Sequence, residues 1–533
     1  MLYRLSYVRA DADFTRQATS AFDTGHPRDP PFDRLRKIRL VAGVADQVQA
    51  PGLRSRFPPR GLVWWARAAV AASSASLVAL WVSRPWVEGD TPFVLDGTNA
   101  LIGCLSRRDF VGCRFSGKLD YWGLMSPMGD WPLLQHIPDL IAVELGATAH
   151  PDRVRVLTLL SVAGVVGSVI LARVVLTRIG HGAWFWGFLF VVLSGPVLAY
   201  ARTTAGEMLA TGLLVALVTA TILRAPPAVV GIAALAACLT KETAYPFVAA
   251  LGVLGLVLAR RRTGLPIRRQ VVGGAAGIAV AVVLASLFNV VRFGGVLNTN
   301  YLQPELRTPG IGRKLEYALA LFVAPNGGLL VFWPAAGALL LSVCLLPLLS
   351  QSRRLDPRPA LVVVAVAVGL IFGFASWWDP FGSSYGARLT LPWVLPLVLI
   401  GLAAYGDRLG ELARRLLAPT WRLLLLFAVA LAIALPHVGY MWAPDAANRS
   451  FAASAPTCDA PWRGGVAAWH ACHHKMLWRL HPRPLLVAAA EGLGSARAAA
   501  TGLAVAVALL GSLFLLREEL GGRPTRASTD RAT

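Results

Sequence analysis

Apolar runs long enough to cross a lipid bilayer recur along most of the chain, and they constrain its fold more than any other feature. A helix needs about 20 apolar residues to cross the hydrocarbon core. Twelve runs approach that length, near residues 62–83, 154–176, 183–201, 206–223, 227–240, 243–259, 271–291, 327–349, 359–377, 389–405, 421–441 and 497–516. The pattern predicts an all-α polytopic membrane protein with about twelve transmembrane helices.

Composition excludes a soluble protein of this size. Of 533 residues, 56% are hydrophobic and only 15% are charged, and a soluble domain could not bury so many apolar side chains. The formal net charge is +22, which would suggest a nucleic-acid partner if it lay on a soluble domain. The basic residues lie between the apolar runs instead, so we expect membrane lipids and no nucleic acid as partners.

Arginine-rich segments follow the second, sixth, eighth, tenth and twelfth predicted spans. The positive-inside rule places such segments in the cytoplasm. They are TRIGHG, ARRRTGLPIRR, SQSRRLDPR, GDRLGELARR and the tail REELGGRPTR. The preference for Arg over Lys, with abundant Ala, Gly and Pro, indicates a GC-rich bacterial genome. We therefore predict a multi-pass protein of the bacterial plasma (inner) membrane, with both termini in the cytoplasm.

This topology divides the chain into four regions. Residues 1–61 are basic, contain no span and lack the parts of a signal peptide, so we expect a partly disordered cytoplasmic extension. Residues 62–410 form a transmembrane core, 411–516 form the C-terminal spans, and 517–533 form a cytoplasmic tail.

Three long loops fall on the face opposite the arginine-rich segments. They comprise residues 84–153, 292–326 and 442–496. Long loops gathered on one face favour a site built at the membrane surface, because binding and catalytic residues concentrate on such segments.

Four of the six cysteines fall pairwise in two of these loops, Cys104 with Cys113 and Cys458 with Cys472. On an oxidising outer face this placement favours two local disulfides over four unrelated thiols. The segment WHACHHK also offers His470, His473 and His474 beside Cys472. No complementary pair of ligands lies elsewhere in that loop, so a disulfide with surface histidines is favoured over a zinc site.

The first outer loop opens with carboxylates, in WVEGDTPFVLDGTNALIG. They are Glu88, Asp90 and Asp96. The apolar residues of the same segment are Leu95, Ala100, Leu101 and Leu105, and their spacing predicts an amphipathic helix along the membrane interface. A carboxylate there can take a proton from a hydroxyl or hold a divalent cation. A solvated acidic loop is the alternative.

This order of features resembles the GT-C superfamily of polytopic glycosyltransferases, and within it the protein O-mannosyltransferase and aminoarabinose-transferase type. In that type the first span is followed by an acidic motif like DExxY, an amphipathic helix and a Pro-rich stretch such as HPPL. Asp90 occupies the position of the leading Asp, and GDWPLLQHIPDLIAVELG resembles the Pro-rich stretch. Thr91 replaces the usual second acid, so Glu88 or Asp96 could supply it.

Further segments match the same type in the same order, over roughly residues 62–410. SGPVLAYARTTAGEMLATG resembles the SP...YAR....E segment, and ALAACLTKETAYPFV resembles a short span closed by Lys. FNVVRFGGVLNTNY, LFVAPNGGLLVFWP and WWDPFGSSYGARLTLPWVLP resemble the FNYLRFGSPLETGY, SPGRGLFLYSP and WSYGPRYLLPLLP patterns. The matched substrate-binding candidates are Arg202, Glu207, Lys241, Arg292, Tyr385 and Arg388.

The resemblance implies an integral membrane glycosyltransferase that moves a sugar from a polyprenyl-phosphate donor to an envelope glycan, protein or lipid on the outer face. Asp90 would act as general base, and the basic residues would offset the charge of the departing phosphate. No organic cofactor is implied. Glu88 and Asp90 could share a divalent cation, but no fixed ligand set is visible, so metal dependence stays open.

Several of these residues also have a purely structural interpretation. Arg202 or Arg388 could extend to lipid headgroups, and Lys241 could pair with Glu242 or Glu207. The aromatic residues Trp377, Trp378, Phe381 and Tyr385 could stack on sugar or mark the membrane interface.

Two other classes of function stay open. A transporter or flippase of lipid-linked sugars would bury its key charges near the midplane in broken spans, whereas these charges lie at span ends. A non-catalytic GT-C-like membrane protein is the other alternative, because Thr91 departs from the acidic motif.

Overall fold

Helices account for the regular structure of this chain. A computed structural model describes residues 60–83, 85, 91–108, 133–147, 149–204, 206–241, 244–293, 295–297, 308, 310–325, 327–349, 358–374, 390–443, 478 and 494–522. The helices within these ranges are α1 (Arg60–Ser83), α2 (Thr91–Arg107), α3 (Leu133–Glu144), α4 (His150–Arg178), α5 (Trp184–Leu193), α6 (Val197–Tyr200), α7 (Gly206–Ile222), α8 (Pro227–Cys238), α9 (Tyr245–Thr263), α10 (Arg268–Phe293), α11 (Gly310–Val323), α12 (Leu329–Phe332), α13 (Pro334–Leu349), α14 (Arg358–Phe374), α15 (Leu391–Leu417), α16 (Thr420–Trp442) and α17 (Ala496–Gly521). No β-strand occurs among the described residues.

Each of the twelve predicted spans coincides with one or two of these helices. Six helices, α1, α4, α10, α15, α16 and α17, are long and apolar enough to cross a membrane by length and composition. Shorter apolar helices include α5, α7 and α8. The prediction of an all-α polytopic membrane protein is confirmed.

Two spans that the sequence predicted as continuous are interrupted. Residues 183–201 form α5 and α6, because Pro196 lacks an N–H group and its ring disfavours an unbroken helix. Residues 327–349 are divided in the same way before Pro334. The buried indole of Trp333 fills the first break: its Nε1 donates to the Val191 carbonyl at 2.7 Å, and a Cβ on Gly195 would lie 2.2 Å from that nitrogen. Only glycine leaves room for this contact.

Two further boundaries differ from the sequence prediction. The loop 292–326 contains α11, a helix of 14 residues whose charges lie in its first half, so it is too short and too polar to be predicted as a span. Helix α15 continues through the predicted joint GDRLGELARR and ends before Pro419. Helix α17 begins at Ala496, next to the predicted start at residue 497, and the Ser495 hydroxyl caps it by accepting from the Ala498 N–H at 3.1 Å.

Glycines allow close packing between neighbouring helices. A Cβ on Gly164 of α4 would lie 2.1 Å from the Met208 carbonyl of α7, and a Cβ on Gly277 of α10 would lie 2.1 Å from the Gly231 carbonyl of α8. Small residues at helix contacts are typical of membrane proteins, where close backbone approach replaces a hydrophobic driving force.

Charged residues divide the helix bundle into two chemically different ends. At one end Arg67 pairs with Glu519 at 2.9 Å, Arg224 donates to the Pro266 carbonyl at 2.8 Å, and Arg517 donates to the Ala418 carbonyl at 3.1 Å. This end, called the Arg-rich end, carries the arginine-rich segments that the structure describes, such as the joint between α9 and α10. The opposite end, where α6 and α8 finish and α7 begins, is called the motif end.

The joint between α4 and α5 is also anchored at the Arg-rich end. His181 Nδ1 lies 3.1 Å from the Leu402 carbonyl, and Nε2 lies 3.5 Å from Asp407 Oδ1. Burial lowers the pKa of His181 below its ordinary value, although the Asp407 carboxylate acts in the opposite direction. These contacts hold the joint to α15.

Candidate active site

An ion pair joins two motif residues that lie far apart in the sequence. Glu207 lies in the first turn of α7, and Lys241 follows the end of α8. The Lys241 ammonium contacts the Glu207 carboxylate, whose side chain is 1% exposed while that of Lys241 is 18% exposed. The helix N-terminus also favours a carboxylate at this place. Of the two pairings that the sequence allowed for Lys241, the one with Glu207 is formed.

Arg202 is held inside the protein rather than at lipid headgroups. The break at Pro196 ends in the short helix α6, and Arg202 follows it, 7% exposed. Its Nη1 donates to the Met441 carbonyl at the end of α16, and its guanidinium lies 5.2 Å from the ring centroid of Trp442. These contacts fix a cation between α6 and α16.

Arg292 lies in the last turn of α10 and is 1% exposed. Its guanidinium donates to the Asn289 side chain and lies 4.3 Å from the Phe288 ring centroid. Phe288 in turn packs on Leu101 and Cys104 of α2. A third buried cation is thereby connected to the helix that follows the acidic motif.

The predicted amphipathic helix of the first loop is present as α2, which begins at Thr91, directly after Asp90 in the chain. Its residues Val94 and Leu95 pack on Val154 and Leu157 of α4. The apolar face of α2 therefore rests largely on protein, where the sequence alone suggested a helix lying along the membrane interface. Asp96 is exposed, on the other side of the helix.

A buried network that sequence reasoning missed holds α2 and α3 to the start of α4. Arg153 is bidentate with Asp139, donating from Nε at 2.7 Å and from Nη2 at 2.5 Å. It also donates from Nη1 to the Asn99 side chain at 2.8 Å and from Nη2 to the Leu95 carbonyl at 3.0 Å. Asp139 is 0% exposed. The available signal was an acid within the apolar stretch HIPDLIAVE, because a carboxylate buried there requires a cation.

The contacts at helix ends connect these pieces. The Leu134 N–H of α3 donates to the Leu239 carbonyl beside Lys241 at 3.2 Å. The Thr211 hydroxyl of α7 donates to the Leu391 carbonyl of α15 at 3.2 Å, and the Trp81 indole of α1 donates to the Leu198 carbonyl of α6 at 3.1 Å. These contacts join α3 to the end of α8, α7 to the start of α15, and α1 to α6 at the motif end.

Other candidates have a different status. Glu88, Asp90, Tyr385, Arg388, Cys113, Cys458 and Cys472 lie outside the described residues. Cys104 is disulfide-bonded. Of the thiols in the described ranges, Cys238 and Cys344 are free. Those ranges contain no group of three or more His, Cys, Asp or Glu side chains that could hold a metal ion, and the possible cation at Glu88 and Asp90 stays a prediction.

The chemistry available at the motif end is stabilisation of negative charge. Arg202, Lys241 and Arg292 are cations largely removed from water, where electrostatic interactions are stronger than at an exposed surface. Among the three, Lys241 retains an appreciable exposed fraction, so its ammonium can reach a ligand while Glu207 holds it.

Two solved structures are similar to this chain over most of its length. No protein-family model and no curated protein matches the chain. The chain is similar to the crystal structure of ArnT from Cupriavidus metallidurans in the apo state, with a TM-score of 0.45 and 17% identity over 86% of this chain and 78% of that chain. It is also similar to ArnT from the same organism bound to undecaprenyl phosphate, with a TM-score of 0.42 and 19% identity over 85% and 78% of the two chains.

Proposed function

We propose that this chain is an integral membrane glycosyltransferase that transfers a sugar from a polyprenyl-phosphate donor to an envelope acceptor, on the outer face of the plasma membrane. The observation that carries the proposal is the convergence of Arg202, Glu207, Lys241 and Arg292 at one end of the bundle. These residues come from three separate motifs of the GT-C resemblance, and Arg292 is connected through Phe288 to the helix that follows Asp90.

Lys241 is the proposed contact to the donor phosphate. The polyprenyl chain lies in the bilayer, so the phosphate must be met where the spans end. As the bond between sugar and phosphate breaks, the phosphate leaves with the bonding electrons and gains negative charge. A fixed ammonium stabilises that charge, with Arg202 and Arg292 contributing a positive field from within the protein.

Asp90 is the proposed general base. The acceptor hydroxyl attacks the anomeric carbon of the sugar and must lose its proton, which the carboxylate accepts. Asp90 directly precedes α2, and the Arg153 network anchors α2 to α3 and α4. The base is therefore attached to a supported element rather than to an isolated loop.

The position of the charges favours an enzyme over a transporter. A transporter that binds its cargo at the midplane uses broken helices whose ends point at the cargo. Here the break between α5 and α6 is filled by the fully buried Trp333, and the motif cations lie where helices end.

Envelope analysis of a deletion strain tests this function. We expect one sugar linkage to disappear from an envelope glycan, protein or lipid, and a polyprenyl-phosphate sugar to accumulate. A plasmid carrying the wild-type chain should restore both, whereas one carrying Asp90→Asn should restore neither. An unchanged envelope in the deletion strain, with no accumulated donor, would rule out the proposed reaction.

A further inference from the structure

A long apolar groove runs along the surface of the bundle between α1, α4 and α5. Its volume is about 630 Å³. The residues of α1 that line it extend from Arg67 to Trp81. With a rise of 1.5 Å per residue, this stretch of helix is roughly 20 Å long. A single leaflet occupies about half of a hydrocarbon core that is roughly 30 Å thick, so the groove is deep enough for a lipid chain.

The polar end of the groove lies at the Arg-rich end of the bundle. It contains Arg67, Arg173 and Glu519. Arg67 is paired with Glu519 at 2.9 Å, and the Trp186 indole donates to the same carboxylate oxygen at 2.8 Å. The charge of Arg67 is therefore already balanced within the protein.

Arg173 is the cation of this groove that lacks a balancing charge. It is exposed, and its guanidinium lies 5.4 Å from the ring centroid of Phe185. Within the part of the chain that the structure describes, no carboxylate forms an ion pair with Arg173. Its guanidinium therefore lines the groove at the Arg-rich end without a balancing carboxylate among the described residues.

We infer that this groove binds one anionic glycerophospholipid, with an acyl chain along the apolar walls and the phosphate on Arg173. The two parts of the site match the two parts of such a lipid. A guanidinium binds phosphate oxygens through paired N–H groups, and it does so more strongly than it binds water. A lipid without net charge would leave the charge of Arg173 unbalanced, and a free anion would leave the apolar walls empty.

The leaflet at the Arg-rich end supplies such lipids. In the predicted orientation this end faces the cytoplasm, and anionic lipids give the cytoplasmic leaflet a negative surface potential. Basic pockets between membrane helices on that side bind anionic headgroups. This site is separate from the proposed donor site, since its phosphate-binding residue lies at the opposite end of the bundle from Lys241.

Native mass spectrometry of the delipidated full-length chain tests the inference. The probes are dioleoyl-phosphatidylglycerol and dioleoyl-phosphatidylcholine, which share their chains and differ in net charge. We expect tighter binding of phosphatidylglycerol, and a loss of about fivefold with Arg173→Gln, the contribution expected of one cation near anionic lipid. Arg178→Gln is the matched control, because Arg178 is exposed on the same helix and does not line the groove.

A second pair of variants tests the groove walls. Ala71 lines the groove and the adjacent Ala72 does not, and both are exposed. Ala71→Trp should fill the channel and abolish lipid binding, whereas Ala72→Trp should leave it intact. Equal binding of the two lipids, equal effects of the two Arg variants, or full binding by Ala71→Trp would each overturn the inference. Tighter, Arg173-dependent binding of a polyprenyl phosphate would overturn the choice of a glycerophospholipid.

Discussion

At the scale of single residues, the cations of the motif end are each fixed by specific partners. Lys241 is paired with a carboxylate that is almost wholly buried, and Arg202 and Arg292 are held by carbonyl, amide and aromatic groups. Each arrangement keeps a positive charge in place before any substrate arrives. Such preorganisation is what stabilisation of a leaving phosphate requires.

Removing Lys241 should have separate effects on stability and on transfer. Lys241→Met leaves the Glu207 carboxylate buried without its cation, which we expect to lower the free energy of unfolding by about 3–5 kcal/mol. The double variant Glu207→Gln/Lys241→Met removes both charges and should recover most of that stability while transferring no sugar. Thermal unfolding in detergent and a transfer assay measure the two effects. An active double variant would show that the pair is only structural.

Substitution of Asp90 and of its neighbour Asp96 tests the proposed base. Asp90→Asn keeps the size and the hydrogen-bonding capacity of the side chain but removes the basic group, so transfer should fall by a factor on the order of 10² to 10⁴. Asp96 is exposed on α2, and Asp96→Asn should leave transfer near the wild-type rate. Rates of single-turnover transfer measure the difference. Full activity of Asp90→Asn together with loss in Asp96→Asn or Glu88→Gln would move the catalytic role to that neighbour.

At the scale of helices, the Arg153 network explains how a loop helix becomes part of a rigid site. Arg153 contacts residues of both α2 and α3 from the first turn of α4. The apolar face of α2 adds packing on α4 and α10. The acidic motif is thus connected to the spans by a charge network and by apolar contact together.

Arg153→Gln should loosen α2, because it leaves Asp139 buried without its cation. We expect faster amide hydrogen exchange over residues 91–107 and a lower rate of transfer. Arg155→Gln is the matched control: the Arg155 side chain is 62% exposed and pairs with the exposed Asp152, a kind of surface pair that contributes little. Identical exchange over α2 in the two variants would contradict the role given to Arg153.

The sequence predicts some of these elements and not others for physical reasons. The spans and the amphipathic α2 were predictable because their apolar patterns are local. The break at Pro196 was not, because whether proline interrupts a helix depends on what fills the gap, here Trp333 from another part of the chain. The pairing of Arg153 with Asp139 forms only when separate helices meet, and for Lys241 the sequence allowed two partners without deciding between them. The motif resemblance located Glu207 and Lys241 but said nothing of Arg153.

At the scale of the whole molecule, the distribution of arginine predicts an orientation. The Arg-rich end would face the cytoplasm and the motif end would face outward, where lipid-linked donors and envelope acceptors meet. Both proposed sites depend on this assignment: the donor site belongs to the outer leaflet and the glycerophospholipid groove to the inner one.

Labelling of single cysteines tests the orientation. Leu145 and Leu265 are exposed residues beyond helix ends, at the motif end and the Arg-rich end respectively. In intact cells, Leu145→Cys should react with a membrane-impermeant maleimide, whereas Leu265→Cys should react only after permeabilisation. The parent chain provides the background from native thiols. The reverse pattern would place the proposed active site in the cytoplasm.

The most direct test of the central claim is transfer by the purified full-length chain in proteoliposomes. An envelope extract of the deletion strain supplies both the accumulated donor and the unglycosylated acceptor, and chromatography with mass spectrometry follows their conversion. We expect the wild-type chain to convert the polyprenyl-phosphate sugar into free polyprenyl phosphate and glycosylated acceptor, and Asp90→Asn and the Glu207→Gln/Lys241→Met double variant to leave it unchanged. An unchanged donor with the wild-type chain, or equal conversion by all three proteins, would contradict the account.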